Sequence, residues 1–214
     1  MAEYTLYCFA QSGNAYKPAL LLELASADWQ PRWVDFFNGE TRKPEYRATV
    51  NEMGEVPVLQ HRELQLTQSG VILDYLVSTI GLFGPQTEGE RREILRWILW
   101  DNHKFTSYIA TYRFFKMFAP KLADEKVQAF FLARIKSNLK LLDGHLATRE
   151  FVAADRLTTA DLSLCGYLFF EDEIGVDLAG DYPAVAGWLR RIKALPRWKH
   201  PYDLMPGHPL PAVA

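Results

Sequence analysis

Cysteine is scarce in this sequence, where only Cys8 and Cys165 occur in 214 residues. Two cysteines exclude a disulfide framework and predict a cytoplasmic protein, since the cytoplasm keeps thiols reduced. No apolar run reaches the roughly 18 residues that a membrane-spanning helix needs, and the start lacks a secretory signal pattern. No long run of like charge occurs and the net charge is −2. We therefore expect neither nucleic acid nor a membrane surface as a partner.

The first third of the sequence alternates strand-like and helix-like segments. The apolar runs and turn signals predict strands over 4–9, 33–37, 56–59 and 64–66, and helices over 15–27, 41–50 and 69–79. The order β-α-β-α-β-β-α indicates a compact α/β domain with a mixed sheet over residues 1–80.

The pattern then becomes helical. Glycine and proline mark residues 81–88 as a linker, and we predict an all-helical domain over 89–214. One long helix is expected over 90–117. A second has one apolar face, formed by Val127, Phe131, Ile135, Leu139, Leu142 and Leu146. Another runs from Pro183 to about Leu195, and the proline-rich tail from Pro201 is predicted to be an irregular strap over the surface.

A capping box predicts a further helix, which begins at Thr158 and precedes the helix at Pro183. Thr158 and Asp161 have the Ser/Thr-x-x-Asp/Glu spacing in which each side chain binds the other residue's backbone N–H. Losing such a cap costs about 1 kcal/mol.

Val56-Pro57 and Gln68-Ser69 bracket the predicted hairpin. Proline limits backbone pairing, so Val56 is expected to present a free N–H and C=O, which suit a peptide. Gln68-Ser69 begins a helix, whose free N–H groups and partial positive charge suit a carboxylate. Together these features predict a small, peptide-like anion as the ligand.

Four segments in this order carry a family resemblance: Tyr4–Lys17, Asn51–Leu59, Leu66–Leu76 and Leu157–Ser163. The sequence resembles a cytosolic glutathione S-transferase of the bacterial, serine-dependent type over nearly its whole length. The resemblance implies a thioredoxin-like α/β N-terminal domain and an all-α helical-bundle C-terminal domain. It also implies glutathione as co-substrate and a homodimer.

By this resemblance, Val56 would pair its backbone with the cysteinyl part of glutathione beside a cis Pro57. Gln68 and Ser69 would hold the carboxylate and amine of the γ-glutamyl group. Family members often have Glu or Asp where this sequence has Gln68, so a charge partner for the ammonium is missing and must come from a neighbour or a dimer partner. Many have Lys or Gln where Glu55 stands. Lys43 or Arg42 is therefore the candidate cation for the glycyl end.

The resemblance places the catalytic group at Ser12, with Asn14 as a second donor. A thiol with a pKa near 8.5 is mostly neutral at pH 7, and the thiolate is the nucleophile. A hydroxyl at the start of the first helix can stabilise that thiolate. In the alternative interpretation, both residues only form the turn and the helix cap.

Cys8 and Tyr7 compete for the catalytic role. Other family members use a tyrosine near the end of the first strand, and some form a mixed disulfide through a cysteine. We favour Cys8 as a small core residue, which is the usual place of a free cysteine. No Cys-x-x-Cys motif is present, so a dithiol redox cycle is not expected.

The second substrate is expected to contact aromatic side chains of the first and fourth helices. The candidates are Tyr16, Phe105, Tyr108, Tyr112 and Phe115, with Arg113 at the polar edge. The alternative is that these side chains form core or dimer surface. No residues have the spacing of a metal site.

Conjugation of glutathione to small apolar electrophiles, as in detoxification, is the predicted activity. Glutathione-dependent reduction of peroxides or disulfides would use the same thiolate. A non-catalytic, transferase-like binding module is a third possibility.

Overall fold

A computed structural model describes residues 2–210 and divides the protein into two compact units. The first comprises the chain up to Gly84 and the segment that begins at Leu195, and the second runs from Pro85 to Ala194. The first unit carries the sheet, and the second contains no strand within its residues 85–194. The predicted fold class, an α/β domain and an all-helical domain in one chain, is confirmed.

The sheet of the first unit has four strands in the order β2-β1-β3-β4. Its elements are β1 (Tyr4–Cys8), α1 (Gly13–Leu24), β2 (Trp29–Trp33), α2 (Pro44–Thr49), β3 (Val58–His61), β4 (Leu64–Thr67) and α3 (Ser69–Ile80). The β1 strand pairs with β2 in parallel and with β3 antiparallel, and β3 pairs with β4 antiparallel. A central strand is buried on both faces, and accordingly Leu6, Tyr7 and Cys8 are all buried.

The second strand lies earlier than predicted. It spans Trp29–Trp33, whereas the apolar run predicted a strand over 33–37. Since β2 is an edge strand, Pro31 can sit in it without breaking a ladder on both sides. The segment after it turns instead, because Phe36 stacks on Phe9 with ring centroids 4.8 Å apart and Gly39 N–H donates to Phe36 C=O.

The C-terminal segment packs within the first unit, whereas the sequence analysis assigned it to the helical domain. Lys199 C=O accepts from the Tyr16 hydroxyl at 2.8 Å, and Pro206 C=O accepts from Ala10 N–H at 2.8 Å. Glu23, on α1, forms ion pairs with Arg197 and Lys199. The segment also contains a short helix, α11 (Pro201–Leu204), where only an irregular strap was predicted. These partners are distant in sequence, so no local pattern reveals them.

The second unit is built from short and long helices. They are α4 (Glu88–Trp100), α5 (Thr106–Met117), α6 (Glu125–Leu146), α7 (Thr159–Leu164), α8 (Glu171–Ile174), α9 (Leu178–Asp181) and α10 (Pro183–Lys193). The predicted helix over 90–117 is interrupted by a π-helical turn, Asp101–Phe105. The buried Asp101 carboxylate accepts from Thr106 and Ser163 hydroxyls at 2.7 and 2.6 Å, so a polar anchor accompanies the turn.

The long helix α6 has the predicted apolar face only in its later part. Ile135, Leu139, Leu142 and Leu146 are buried, whereas Val127 is exposed and Phe131 half-buried. The helix therefore joins the core from its middle onward.

The capping box at α7 is present as predicted. Asp161 accepts from Thr158 N–H at 2.9 Å, and Thr158 Oγ1 accepts from Ala160 N–H at 3.3 Å. Asp161 also accepts from Val152 N–H and from Trp188 Nε1–H, each at 2.9 Å. Burial raises the pKa of Asp161, and these hydrogen bonds oppose that effect.

Candidate functional site

Ser12 lies at the junction of β1 and α1 and caps the helix. Its Oγ accepts from Ala15 N–H at 3.1 Å, and its own N–H donates to Phe9 C=O at 3.0 Å. The side chain is buried. Its O–H has no acceptor among residues 2–210, so the hydroxyl can cap the helix and still donate to a ligand.

Asn14 occupies the first turn of α1. Its Oδ1 is buried without a hydrogen-bond partner, and no other described residue binds its amide nitrogen. An unmet buried polar atom costs about 1–3 kcal/mol. The amide nitrogen, which has no partner in the described chain, is the group of Asn14 that can donate to a thiolate.

Cys8 is a core residue, as favoured from the sequence. It is fully buried in β1, and burial raises the pKa of its thiol to about 12. A neutral, enclosed thiol is a poor nucleophile. The neighbouring Tyr7 hydroxyl accepts from Arg32 at 3.3 Å, and its ring belongs to a core cluster with Val34 and Tyr46.

The loop before Val56 is held by backbone-directed hydrogen bonds. Glu55 C=O accepts from the Tyr46 hydroxyl and from Asn51 Nδ2, each at 3.0 Å. Asn51 Oδ1 in turn accepts from Met53 N–H at 3.0 Å. Sequence reasoning missed Tyr46 and Asn51, although Asn51 begins one of the segments that carry the family resemblance.

Val56 presents an unpaired backbone at the end of this loop. The Val56–Pro57 peptide bond is cis, as the resemblance implied. The Val56 side chain packs against the Tyr7 core cluster, whereas no other described residue binds its N–H or C=O. Such a backbone can pair with an extended peptide.

The N-terminus of α3 is open. Its first internal bond runs from Ile72 N–H to Gln68 C=O, and within the described chain no acceptor meets the N–H groups of Ser69, Gly70 or Val71. Ser69 is buried, yet its hydroxyl has no partner among residues 2–210. Free N–H groups and a helix dipole favour a bound carboxylate.

Gln68 leads into α3 with unusual backbone geometry. Its φ is 67°, and its side chain makes no capping bond. Positive φ is uncommon for residues other than glycine and is found at ligand clamps. The Gln68 side chain instead donates from Nε2 to Glu55 Oε2 at 3.0 Å and to Met53 Sδ at 3.3 Å.

Lys43 and Arg42 supply exposed positive charge in the first unit. Arg42 ends a 3₁₀ turn, Glu40–Arg42, and Lys43 precedes α2. Within the described part of the chain, neither side chain has an ion-pair partner. Either can bind a carboxylate.

The predicted second-substrate side chains are mostly buried. Tyr16, in the first unit, is fully buried and donates to Lys199 C=O. In the second unit, Phe105 and Tyr112 are buried, while Tyr108 and Phe115 are half-buried. Only Tyr108 and Phe115 of the aromatic set therefore expose ring surface.

Arg113 was expected at the polar edge of this set, and that prediction is wrong. The side chain is 2% exposed and pairs with Glu173 at 2.6 Å. Its guanidinium lies 3.8 Å from the centroid of the Phe170 ring. Arg113 thus ties α5 to the segment around α8 and serves the core of its unit.

Neither a metal cluster nor a membrane helix is found in residues 2–210. No three His, Cys, Asp or Glu side chains of that range lie close enough together to hold a metal ion. No helix in the same range is long and apolar enough to cross a membrane.

The fold and the open site define a class: two-domain proteins with a thioredoxin-like unit followed by a helical one. A model of the glutathione S-transferase N-terminal domain matches residues 2–78, and a model of the C-terminal domain matches residues 105–196. The protein belongs to the glutathione S-transferase family.

The protein is similar to solved structures and to curated proteins over most of its length. The crystal structure of a possible glutathione S-transferase from Rhodopseudomonas palustris is 32% identical with a TM-score of 0.84, covering 96% of this chain and 100% of that one. The probable glutathione S-transferase GSTF2 of Oryza sativa subsp. japonica is 26% identical over 96% of this chain and 98% of its own. The disulfide-bond oxidoreductase YfcG of Escherichia coli is 26% identical over 88% of this chain and 89% of its own.

Proposed function

We propose that this protein binds glutathione in its first unit and joins it, through its sulfur, to small apolar electrophiles. The observation that carries the proposal is a matched set of unpaired groups in that unit. They are the backbone of Val56, the N-terminus of α3 with Ser69, and the hydroxyl of Ser12. Each of these groups is chemically complementary to one part of a γ-glutamyl peptide thiol.

Each part of glutathione has a proposed partner. The cysteinyl backbone pairs with Val56 N–H and C=O beside Pro57. The γ-glutamyl carboxylate binds Ser69 and the free N–H groups of α3, next to Gln68. The glycyl carboxylate binds Lys43 or Arg42, whose side chains are exposed. Charge-assisted hydrogen bonds of this kind contribute about 1.5–3 kcal/mol each.

Ser12 is the proposed catalytic donor and Asn14 its assistant. Lowering the thiol pKa by about two units requires roughly 2.7 kcal/mol. One hydrogen bond to a charged group contributes about 1.5–3 kcal/mol, and a helix N-terminus about 0.3–1 kcal/mol. The N–H of Ala15, which donates to Ser12 Oγ, polarises the hydroxyl and makes it a better donor.

Disulfide reduction is the second candidate activity, favoured by the similarity to the E. coli oxidoreductase. Two glutathione molecules would each give up one thiol hydrogen, yielding oxidised glutathione and two thiols from the substrate disulfide. Both cysteines of this protein are buried, so the reacting sulfur would be that of glutathione. The same thiolate site would serve both reactions.

We also propose a cytoplasmic homodimer whose second substrate contacts Tyr108 and Phe115. Exposed apolar side chains occur on each unit, including Val71 on α3 and Leu99 on α4. Contiguous patches of exposed apolar side chains mark association sites, and we propose that these side chains belong to such patches. Sedimentation velocity would give the oligomeric state.

The test combines glutathione binding with the Ser12→Ala variant. Wild type should bind glutathione in a calorimeter and conjugate it to 1-chloro-2,4-dinitrobenzene. Ser12→Ala should lower turnover at least about 10-fold and raise the apparent pKa of bound glutathione by about one unit or more, because the thiolate loses one charged hydrogen bond. Ser12→Thr, which keeps the hydroxyl, is the control.

Two results would contradict the proposal. Absence of both binding and turnover in the wild type would favour a non-catalytic module. Unchanged turnover in Ser12→Ala would remove Ser12 from the mechanism. Stability is measured in parallel, because loss of the α1 cap alone costs about 0.5–2 kcal/mol.

A further inference from the structure

The γ-glutamyl end of glutathione has a positive charge for which the site described so far supplies no negative partner. That end of glutathione carries an ammonium as well as a carboxylate. The N-terminus of α3 favours the carboxylate and disfavours a nearby cation, because the helix dipole is positive there. Gln68 is neutral, and the first turn of α3 contains no acidic residue.

Glu55 brings a carboxylate to this point. Its Oε2 lies 3.0 Å from Gln68 Nε2, so the acid lies beside the residue that leads into α3. Glu55 has no cationic partner among residues 2–210, and its Oε1 accepts no hydrogen bond from them. A carboxylate that is exposed, lacks a cationic partner and lies next to an open ligand site is able to accept an ammonium.

The position of Glu55 is fixed from two sides. Its C=O is held by the Tyr46 hydroxyl and by Asn51 Nδ2, and its carboxylate by Gln68. Gln68 Nε2 directs its hydrogens to Glu55 and to Met53 Sδ, which leaves the amide oxygen facing no donor from the described chain. The pair therefore offers a negative charge and a neutral acceptor side by side.

We propose that Glu55 recognises the free amine of the γ-glutamyl group and that Gln68 orients the Glu55 carboxylate. In this protein the carboxylate that binds the amine belongs to residue 55, and residue 68, an amide, contacts that carboxylate. This inference rests on the proposed function and adds a specificity determinant to it. The site discriminates in favour of a peptide with a free γ-glutamyl ammonium.

Placement of Glu55 against the glycyl carboxylate is disfavoured by charge. Two carboxylates at hydrogen-bonding distance repel each other, whereas Lys43 and Arg42 offer exposed cations for that end. The two placements predict opposite effects when the Glu55 charge is removed.

The test compares glutathione with its desamino analogue, glutaryl-cysteinylglycine, by calorimetry. Glu55→Gln should weaken glutathione binding at least about 10-fold, the loss of one charged hydrogen bond, and leave the affinity for the analogue unchanged. Glu52→Gln removes an exposed charge from the same loop and is the matched control. It should leave both affinities unchanged.

The double variant Glu55→Gln, Gln68→Glu returns a carboxylate to the other side of the same 3.0 Å contact. It should recover most of the affinity for glutathione that Glu55→Gln loses. Failure to recover would show that a carboxylate at position 68 does not reach the ammonium, and it would overturn the paired assignment.

The outcomes separate this inference from the proposed function. If the wild type binds neither peptide, the proposed function fails. If the wild type binds glutathione and Glu55→Gln binds it equally well, or loses affinity for both peptides alike, the inference alone fails. Tighter glutathione binding by Glu55→Gln would place Glu55 at the glycyl end and would also overturn it.

Discussion

The starts of α3 and α7 both carry polar side chains, and they differ in how their polar groups are satisfied. At α7, Thr158 and Asp161 form a closed capping box, and Asp161 accepts two further hydrogen bonds. At α3, Gln68 gives no cap, and Ser69 has no hydrogen-bond partner for its hydroxyl among residues 2–210. One helix start is completed by the protein, whereas we propose that glutathione completes the other.

The open helix start is informative because its groups have no partner within the described chain. The first N–H groups of a helix lie outside its internal hydrogen bonds and are completed by caps, by water or by ligands. Free N–H groups at a helix N-terminus favour a bound anion. The comparison therefore points to the start of α3 as a ligand site on grounds separate from the family resemblance.

The largest expected effect is at the closed start. Asp161→Ala should lower the free energy of unfolding by about 3 kcal/mol or more, because at least three buried donors lose their acceptor. They are Val152 N–H, Thr158 N–H and Trp188 Nε1–H. Urea unfolding measures the change, and Asp155→Ala, an exposed acid in the preceding segment, is the control. A cost near that of the control would show that α7 is not completed by Asp161.

The next largest effect is expected at the open start of α3, where Ser69 is substituted. Ser69→Ala should weaken glutathione binding about 10-fold, the loss of a hydrogen bond to a carboxylate. It should change the unfolding free energy by less than about 0.5 kcal/mol, since Ser69 Oγ has no partner in the described chain. Calorimetry and urea unfolding measure the two quantities.

Thr158→Ala is the matched variant at the closed start. It should cost about 1 kcal/mol of stability and leave glutathione affinity unchanged. Ser69→Ala could instead destabilise the fold as much as Thr158→Ala does and leave glutathione affinity unaffected. The two helix starts would then be equivalent, and the proposal that a ligand completes α3 would fail.

Local signals predicted much of the fold. The capping box, the hairpin and the α3 boundary depend on residues that are near one another in sequence, such as Thr158 and Asp161. The displaced β2 strand shows where local signals mislead, because whether Pro31 is tolerated depends on its being at the sheet edge. The placement of the last segment depends on Glu23, more than 170 residues away from its partner Arg197.

Some features of the candidate site could likewise be predicted from the sequence, and others could not. The unpaired backbone of Val56, the cis bond before Pro57 and the open helix start at Ser69 were expected from the sequence, because each depends on the backbone around it. The contact between Glu55 and Gln68 could not be named, although the hairpin register, with Val58 opposite Thr67, brings the two flanks together. Register fixes which residues are neighbours, but the direction of each side chain depends on packing.

The smallest expected effect concerns Cys8, which is fully buried in β1. Cys8→Ala should leave turnover unchanged, because burial raises the thiol pKa to about 12 and the neutral group faces the core. The unfolded thiol ionises near pH 8.5 and the folded thiol only near pH 12. The thiol's contribution to stability is therefore complete below about pH 8.5 and is lost as the pH rises towards 12. Iodoacetamide should therefore modify Cys8 only on unfolding, as mass spectrometry would show. Loss of turnover in Cys8→Ala, with Ser12→Ala fully active, would move the catalytic role from Ser12, at the start of α1, to Cys8 in β1.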